Sequence, residues 1–195
     1  GGFSKRITSG LLGRHHVTNI LAAANAALAL DVAPELICAG LEGRAAGSRW
    51  RMERIERPDG VSIINDAYNA NPESMRAALV TLAELGLGAD GAPGRRTWAV
   101  LGEMLELGDD SIHQHDLLGR MAVRMNIKKL VVVGRGAKPA YNSAVLEGSW
   151  GDEAFYVEDV DEARALLQEQ LQPGDIALFK SSNGAGLRFL GDEIA

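Results

Sequence analysis

Residues 61–75 read VSIINDAYNANPESM, and this stretch decides the fold. Val61, Ile63 and Ile64 make a short apolar run of strand length, and a helical pattern begins at Pro72. Asp66, Tyr68, Asn69 and Asn71 crowd the turn between them. Asn71 suits the N-cap of the following helix, Pro72 its first position and Glu73 the positive end of its dipole. Helix initiation therefore explains Asn71, Pro72 and Glu73 without a function. It does not explain Asp66, Tyr68 and Asn69, because a strand-to-helix turn needs one or two such side chains, not this density.

Outward from that unit the chain alternates. Strand-like runs lie at 51–56, 61–66, 97–102, 129–134, 154–157 and 176–180, and helical patterns at about 72–87, 111–126, 136–146, 159–171 and 184–194. RPDG at 57–60 joins the first two strands as a hairpin. Ala99–Leu101 and Leu130–Val133 are wholly apolar, as strands buried on both faces should be. The expectation is an α/β fold with a Rossmann-like, mainly parallel sheet and helices on both faces, occupying residues 47–195. Ahead of it, RHHVTNILAAANAALAL (14–30) and 34–41 read as two helices. Val17, Leu21, Ala24 and Leu28 share one face of the first, and the pair cannot bury such faces alone. Residues 1–46 are thus expected to be the tail of another domain, with 1–13 a strand remnant or lead-in.

The 195 residues carry a formal net charge of −6, with basic residues scattered, which argues against a nucleic-acid partner. No run is long enough to span a bilayer, the start has no signal-peptide core, and the single cysteine, Cys38, allows no internal disulfide. The expectation is a cytoplasmic protein without membrane insertion.

In a parallel sheet, ligands sit off the carboxyl ends of the strands. LGEMLELGDDSIHQH (101–115) puts Glu103 and Glu106 on one such loop. Ser111 suits a helix cap, with His115 one turn on along the same face, and the plain alternative is an acidic loop with a surface histidine. FKSSNGAG (179–186) offers Lys180 and Ser182 for a carboxylate or phosphate, against a solvated helix start. VVGRGAKP (132–139) lacks the third glycine of a dinucleotide fingerprint and reads as an ordinary turn. His15 and His16 with Asn19 are weighed as metal ligands and set aside; an amide reading a purine edge is the better use of Asn19.

GRHHVTNILAAANAAL, NDAYNANPESMRAAL, AVLGEMLELG and FKSSNGAG occur in the order seen in the Mur ligases, and the chain from Gly13 onward resembles that family. DAYNANPESM with LGEMLELG is most similar to members that join D-Ala-D-Ala to UDP-N-acetylmuramoyl-tripeptide. The resemblance implies a cytoplasmic, three-domain ATP-dependent ligase of peptidoglycan synthesis, acting with Mg²⁺ through an acyl phosphate. Residues 1–46 would be the tail of its central ATP-binding domain and 47–195 its C-terminal domain, inactive alone. The phosphate-binding G-x-x-x-x-G-K-[ST] loop does not occur in these residues, and a modified metal-bridging lysine is expected upstream. By resemblance Asn19 reads the adenine, Arg51 meets ATP and Asp66 grips the ribose. Tyr68, Asn69 and Asn71 face nucleotide and dipeptide; Glu103, Ser111, His115, Lys180 and Ser182 serve dipeptide and closure contacts. No metal ligand is expected among these residues. The sequence departs from the pattern at His16, where asparagine is common, and at Asn183, where arginine is common. The competing expectations are a sister ligase for another amino acid and a nucleotide-binding module without catalysis.

Overall fold

The computed structural model describes residues 3–44, 47–88, 93–148 and 151–195, apart from the side chain of His15. They form two compact units, 1–48 and 49–195. The first holds helices α1 (His15–Ala29) and α2 (Pro34–Leu41). Its lead-in runs beside the end of α2: Gly43 donates to the Thr8 carbonyl at 2.8 Å and Gly10 to that of Arg44 at 2.9 Å. Val17, Leu21 and Leu28 are exposed, so the apolar stripe read from the sequence has no cover within this unit.

The second unit is one six-stranded sheet: β1 (Glu53–Glu56), β2 (Ser62–Asn65), β3 (Thr97–Leu101), β4 (Lys129–Val133), β5 (Ala154–Val157) and β6 (Ile176–Lys180). Five helices accompany it: α3 (Pro72–Gly86), α4 (Ser111–Arg124), α5 (Lys138–Glu147), α6 (Val160–Gln170) and α7 (Leu187–Ile194). The strand order is β1-β2-β6-β3-β4-β5, with β1 antiparallel at the edge and every other pairing parallel. β1 alternates between half-buried and exposed residues, whereas β2, β3 and β6 are buried throughout. A solvated antiparallel edge and an apolar parallel centre are what the two kinds of pairing require.

The chain moves one way across the sheet from β2 to β5, then returns through α6 to place β6 in the centre. Right-handed crossovers therefore put α3, α4 and α5 on one face and α6 on the other with α7. Trp98, Val100, Phe179 and Val131 pack with Leu167, Leu187 and Leu190 on the α6–α7 side. Gly119 of α4 lies so close to α5 that a Cβ there would overlap the Ala140 carbonyl and the Ser143 hydroxyl. The chain leaves β3 for α4 and β6 for α7, helices of opposite faces. The crevice between the carboxyl ends of these neighbouring strands is the topological switch point.

Several sequence boundaries shift for local reasons. β1 begins at Glu53 rather than 51, because Trp50 and Met52 adopt φ of 60° and 51° and fold 49–52 into a turn. Single-turn 3₁₀ helices at Arg135–Ala137 and Asn183–Ala185 delay α5 and α7. Gly186, at φ 76°, then redirects the backbone into α7.

Candidate functional site

Asp66 follows the last residue of β2, and its amide donates to the Phe179 carbonyl on β6. Its carboxylate is fixed from two sides. Lys180 Nζ donates to Oδ2 at 2.6 Å, and the Met52 amide donates to Oδ1 at 2.9 Å. Lys180 also donates to the carbonyls of Asn69 at 3.1 Å and Asp66 at 3.5 Å. An ammonium has three N–H bonds, and all three are taken. Lys180 is buried, its side chain 3% exposed. This corrects the expectation that Lys180 holds a substrate carboxylate. It is a positioning residue that clamps the 66–69 turn onto β6. The alternative of a solvated helix start fails as well, because Lys180, Ser181 and Ser182 are all buried.

The same clamp shapes the turn before β1. Trp50 donates its amide to Glu53 Oε2 at 2.9 Å and its indole N–H to Asp192 at 3.0 Å; its carbonyl accepts from the Tyr68 amide. Two left-handed residues flank Arg51, a conformation that persists only where surroundings over-determine it. Arg51 is exposed, and its guanidinium lies 4.3 Å from the centre of the Tyr68 ring. No acceptor among the described residues takes its N–H groups. Stacking fixes the plane and leaves the donors for an anion. Asp192 and Glu53 could not be found as partners of Trp50 from local pattern; Asp192 lies on α7, far along the chain.

Asn71 caps α3 as expected: its side chain accepts from the Ser74 amide at 2.8 Å, and the Ser74 hydroxyl accepts from the Asn71 amide. That reciprocal box adds Ser74, which the sequence reading missed. The Asn71 side-chain nitrogen, Nδ2, remains available at the exposed mouth. Asn69 is exposed, its side-chain oxygen accepting from the Ala70 amide.

The β3 loop is pinned by His115, which is fully buried rather than on the surface. The Met104 amide can only donate, so Nε2 accepts at 2.9 Å. The Ser111 carbonyl can only accept, so Nδ1 carries the proton and donates at 2.7 Å. With both ring nitrogens committed, His115 has no atom for a ligand; it is a positioning residue. Ser111 is the first residue of α4, not its cap: Asp110 stands at the cap and no side chain caps the helix. Ser182 ties this loop to the β6 loop, its hydroxyl accepting from the Leu105 amide and its amide donating to the Glu103 carbonyl, both at 2.9 Å. Its hydroxyl proton is still free to donate.

The Gly134-x-Gly136 segment is the ordinary turn expected, and Gly136 has a further reason. A Cβ there would overlap the Glu103 carboxylate. A cleft of about 370 Å³ lined by Val80, Gly86, Arg95, Thr97, Met125 and Lys128 opens at the amino ends of the strands, away from all these loops. Asn19 belongs to the other unit and is exposed on α1. His15, weighed with it, lies outside the described side chains. No helix of the described residues is long and apolar enough to cross a membrane.

An open parallel sheet with a charged loop cluster at its switch point defines a Rossmann-like α/β domain built to hold a ligand against its strand ends. The family described as Mur ligase, glutamate ligase domain, matches residues 50–183. A UDP-N-acetylmuramoyl-tripeptide–D-alanyl-D-alanine ligase of Mycobacterium bovis is 46% identical over 198 residues, covering 95% of this chain, and its Bacillus subtilis counterpart is 35% identical. The crystal structure of MurF from Acinetobacter baumannii superposes with a TM-score of 0.76 at 34% identity over 93% of this chain. This chain belongs to the Mur ligase family. It spans 38% of the length of the M. bovis relative and 37% of the A. baumannii structure.

Proposed function

We propose that this chain is the carboxyl-terminal part of an ATP-dependent ligase joining D-Ala-D-Ala to UDP-N-acetylmuramoyl-tripeptide in peptidoglycan synthesis, in the cytoplasm. Residues 1–46 are the tail of its central ATP-binding domain and 47–195 its C-terminal domain. One observation carries the reading. At the switch point, Asp66 is held rigidly by Lys180 and the Met52 amide beside an uncommitted Arg51 stacked on Tyr68. Each Asp66 oxygen spends one lone pair on the protein and keeps another for a ribose hydroxyl. Arg51 offers a preorganised guanidinium to phosphate. Asn19 serves the adenine edge, and Asn69 and Asn71 line the approach of the dipeptide.

In the proposed reaction a carboxylate oxygen of the tripeptide attacks the γ-phosphorus of ATP and ADP leaves. The dipeptide amine then attacks the acyl carbon, the amine loses a proton and phosphate departs. The domain contributes position and charge rather than covalent chemistry. Among the described residues no three His, Cys, Asp or Glu side chains group as a metal site. The Mg²⁺ that accompanies ATP phosphates is proposed to find its ligands elsewhere in the ligase.

In the full-length protein, Asp66→Ala removes charge-assisted hydrogen bonds worth about 1.5–3 kcal/mol each. The expected result is at least a roughly tenfold rise in KM for ATP, read from steady-state ADP release. Unchanged ATP kinetics would overturn the ribose assignment.

A further inference from the structure

Helix α7 meets the nucleotide side of the site through one carboxylate. Asp192 accepts from three side chains on two other segments. Its Oδ1 takes Asn65 Nδ2 at 3.1 Å and the Trp50 indole N–H at 3.1 Å. Its Oδ2 takes the same indole at 3.0 Å and Arg49 Nη2 at 2.8 Å. Asn65 closes β2 directly before Asp66 and is fully buried, its Nδ2 also donating to the Arg188 carbonyl at 2.8 Å. A Cβ at Gly191 would overlap the Asn65 side chain, so α7 lies directly against the end of β2. The Trp50 ring meets that of Phe189 on α7 in a T-shaped contact, with 6.0 Å between centres.

These bonds matter because of where Trp50 sits. A bulky residue at φ 60° stays in the left-handed region only while its surroundings hold it there. The bonds from its amide to Glu53 and to its carbonyl from the Tyr68 amide fix the main chain. The indole bond to Asp192 and the contact with Phe189 fix the side chain against a helix. Arg51 is set by its neighbours and by the Tyr68 ring on which its guanidinium lies. Of those neighbours, Met52 is tied to Asp66 and Trp50 to Asp192. The direction of Arg51 therefore depends on two carboxylates, one facing the crevice and one behind it.

We infer that Asp192 is a positioning residue for nucleotide binding: through Trp50 and Asn65 it holds Arg51 and Asp66, the two groups assigned to ATP, in one fixed relation. The inference rests on the proposed ligase reading and extends it from the strand-end loops to α7. Asp192 acts on the ligand only through the residues it supports, and support of this kind on rigid elements is what keeps a binding group in its productive place. A general staple would serve both substrates alike. Asp192 serves the nucleotide, because its bonds reach the end of β2 and the turn before β1 but not the loop after β3.

The test uses the full-length protein, with ADP release measured while ATP and D-Ala-D-Ala are varied in turn. Trp50→Phe removes the indole donor and keeps an aromatic ring; Asp192→Ala removes the acceptor. Each should raise KM for ATP at least about fivefold and leave kcat and KM for D-Ala-D-Ala within about twofold of the wild type. Asp192→Asn keeps an oxygen where Trp50 and Asn65 both donate and drops only the pairing with Arg49. It should hold KM for ATP within about twofold of the wild type. Combining Trp50→Phe with Asp192→Ala should raise KM for ATP by less than the product of the two single effects, because both remove the same bond. An unchanged KM for ATP in Trp50→Phe, or KM values for ATP and dipeptide that rise together, would overturn the inference and leave the ligase reading standing, even where Asp192→Ala is too unstable to assay. A wild-type protein that releases no ADP with any amine acceptor would overturn both.

Discussion

Lys180→Met is the change that most directly probes how the site is built. It keeps most of the side-chain volume and removes the charge. In the wild type the Lys180 and Asp66 side chains are 3% and 14% exposed with their charged atoms 2.6 Å apart. Removing one partner of a buried pair costs about 3–5 kcal/mol, because the other charge is stranded. Asp66 keeps the Met52 amide, and its small exposed fraction allows some rehydration, so the lower end, about 3 kcal/mol, is expected. With a urea dependence of about 2 kcal/mol per molar, the midpoint falls by roughly 1.5 M. Equilibrium unfolding of the chain, followed by tryptophan fluorescence to which the fully buried Trp98 contributes, measures it. Asp66→Asn combined with Lys180→Met removes both charges and should cost clearly less than the sum of the single changes. A midpoint shift under about 0.3 M for Lys180→Met, or strict additivity in the pair, would refute the claim that Lys180 is a clamp.

Further outcomes follow from neighbouring contacts. His115→Ala opens a cavity and strands the Met104 amide and Ser111 carbonyl, so stability should fall by about 2–4 kcal/mol in the same unfolding assay. Asn71→Ala removes the α3 cap and its box with Ser74, at a cost of about 1 kcal/mol. Gly119→Ala forces α4 away from α5 and should cost about 1–3 kcal/mol, whereas alanine at the open Gly40 should be nearly neutral. The Arg124 hydrogen bond, with Arg120 beside it, holds Glu147 below the usual carboxylate range despite its desolvation. A carboxylate whose pKa is lowered on folding stabilises above its unfolded value, and that contribution fades as pH falls through the folded one. Glu147→Gln should therefore lower stability at pH 7, with the difference from wild type shrinking as pH falls through the folded pKa, so that the acid limb of the stability–pH curve is flatter.

The strand–turn–helix unit at 61–75 was legible because each local signal agreed: a short apolar run, a cap residue and proline at the first helical turn. The alternation of strands and helices then dictated a mostly parallel sheet, and RPDG dictated its antiparallel edge. The position of β6 between β2 and β3 was not legible, since strand order is set by packing across the whole chain. Polar roles were the hardest to read. Lys180 and His115 look like ligand contacts when only residue type and loop position are considered. Burial and exhausted hydrogen-bonding capacity, which depend on residues distant in sequence, make them supports instead. Residues 51 and 52 were read as strand because the left-handed residues of that turn, Trp50 and Met52, carry no glycine signal. Distant groups, the Asp66 carboxylate and Asp192, hold them there.

The most direct test of the proposed activity is ADP release by the full-length protein with UDP-N-acetylmuramoyl-tripeptide and Mg·ATP, with and without D-Ala-D-Ala. Release that requires the dipeptide is predicted. Release that ignores the dipeptide but responds to a different amino acid would contradict the assignment of the acceptor, and no release with any acceptor would contradict the ligase reading itself.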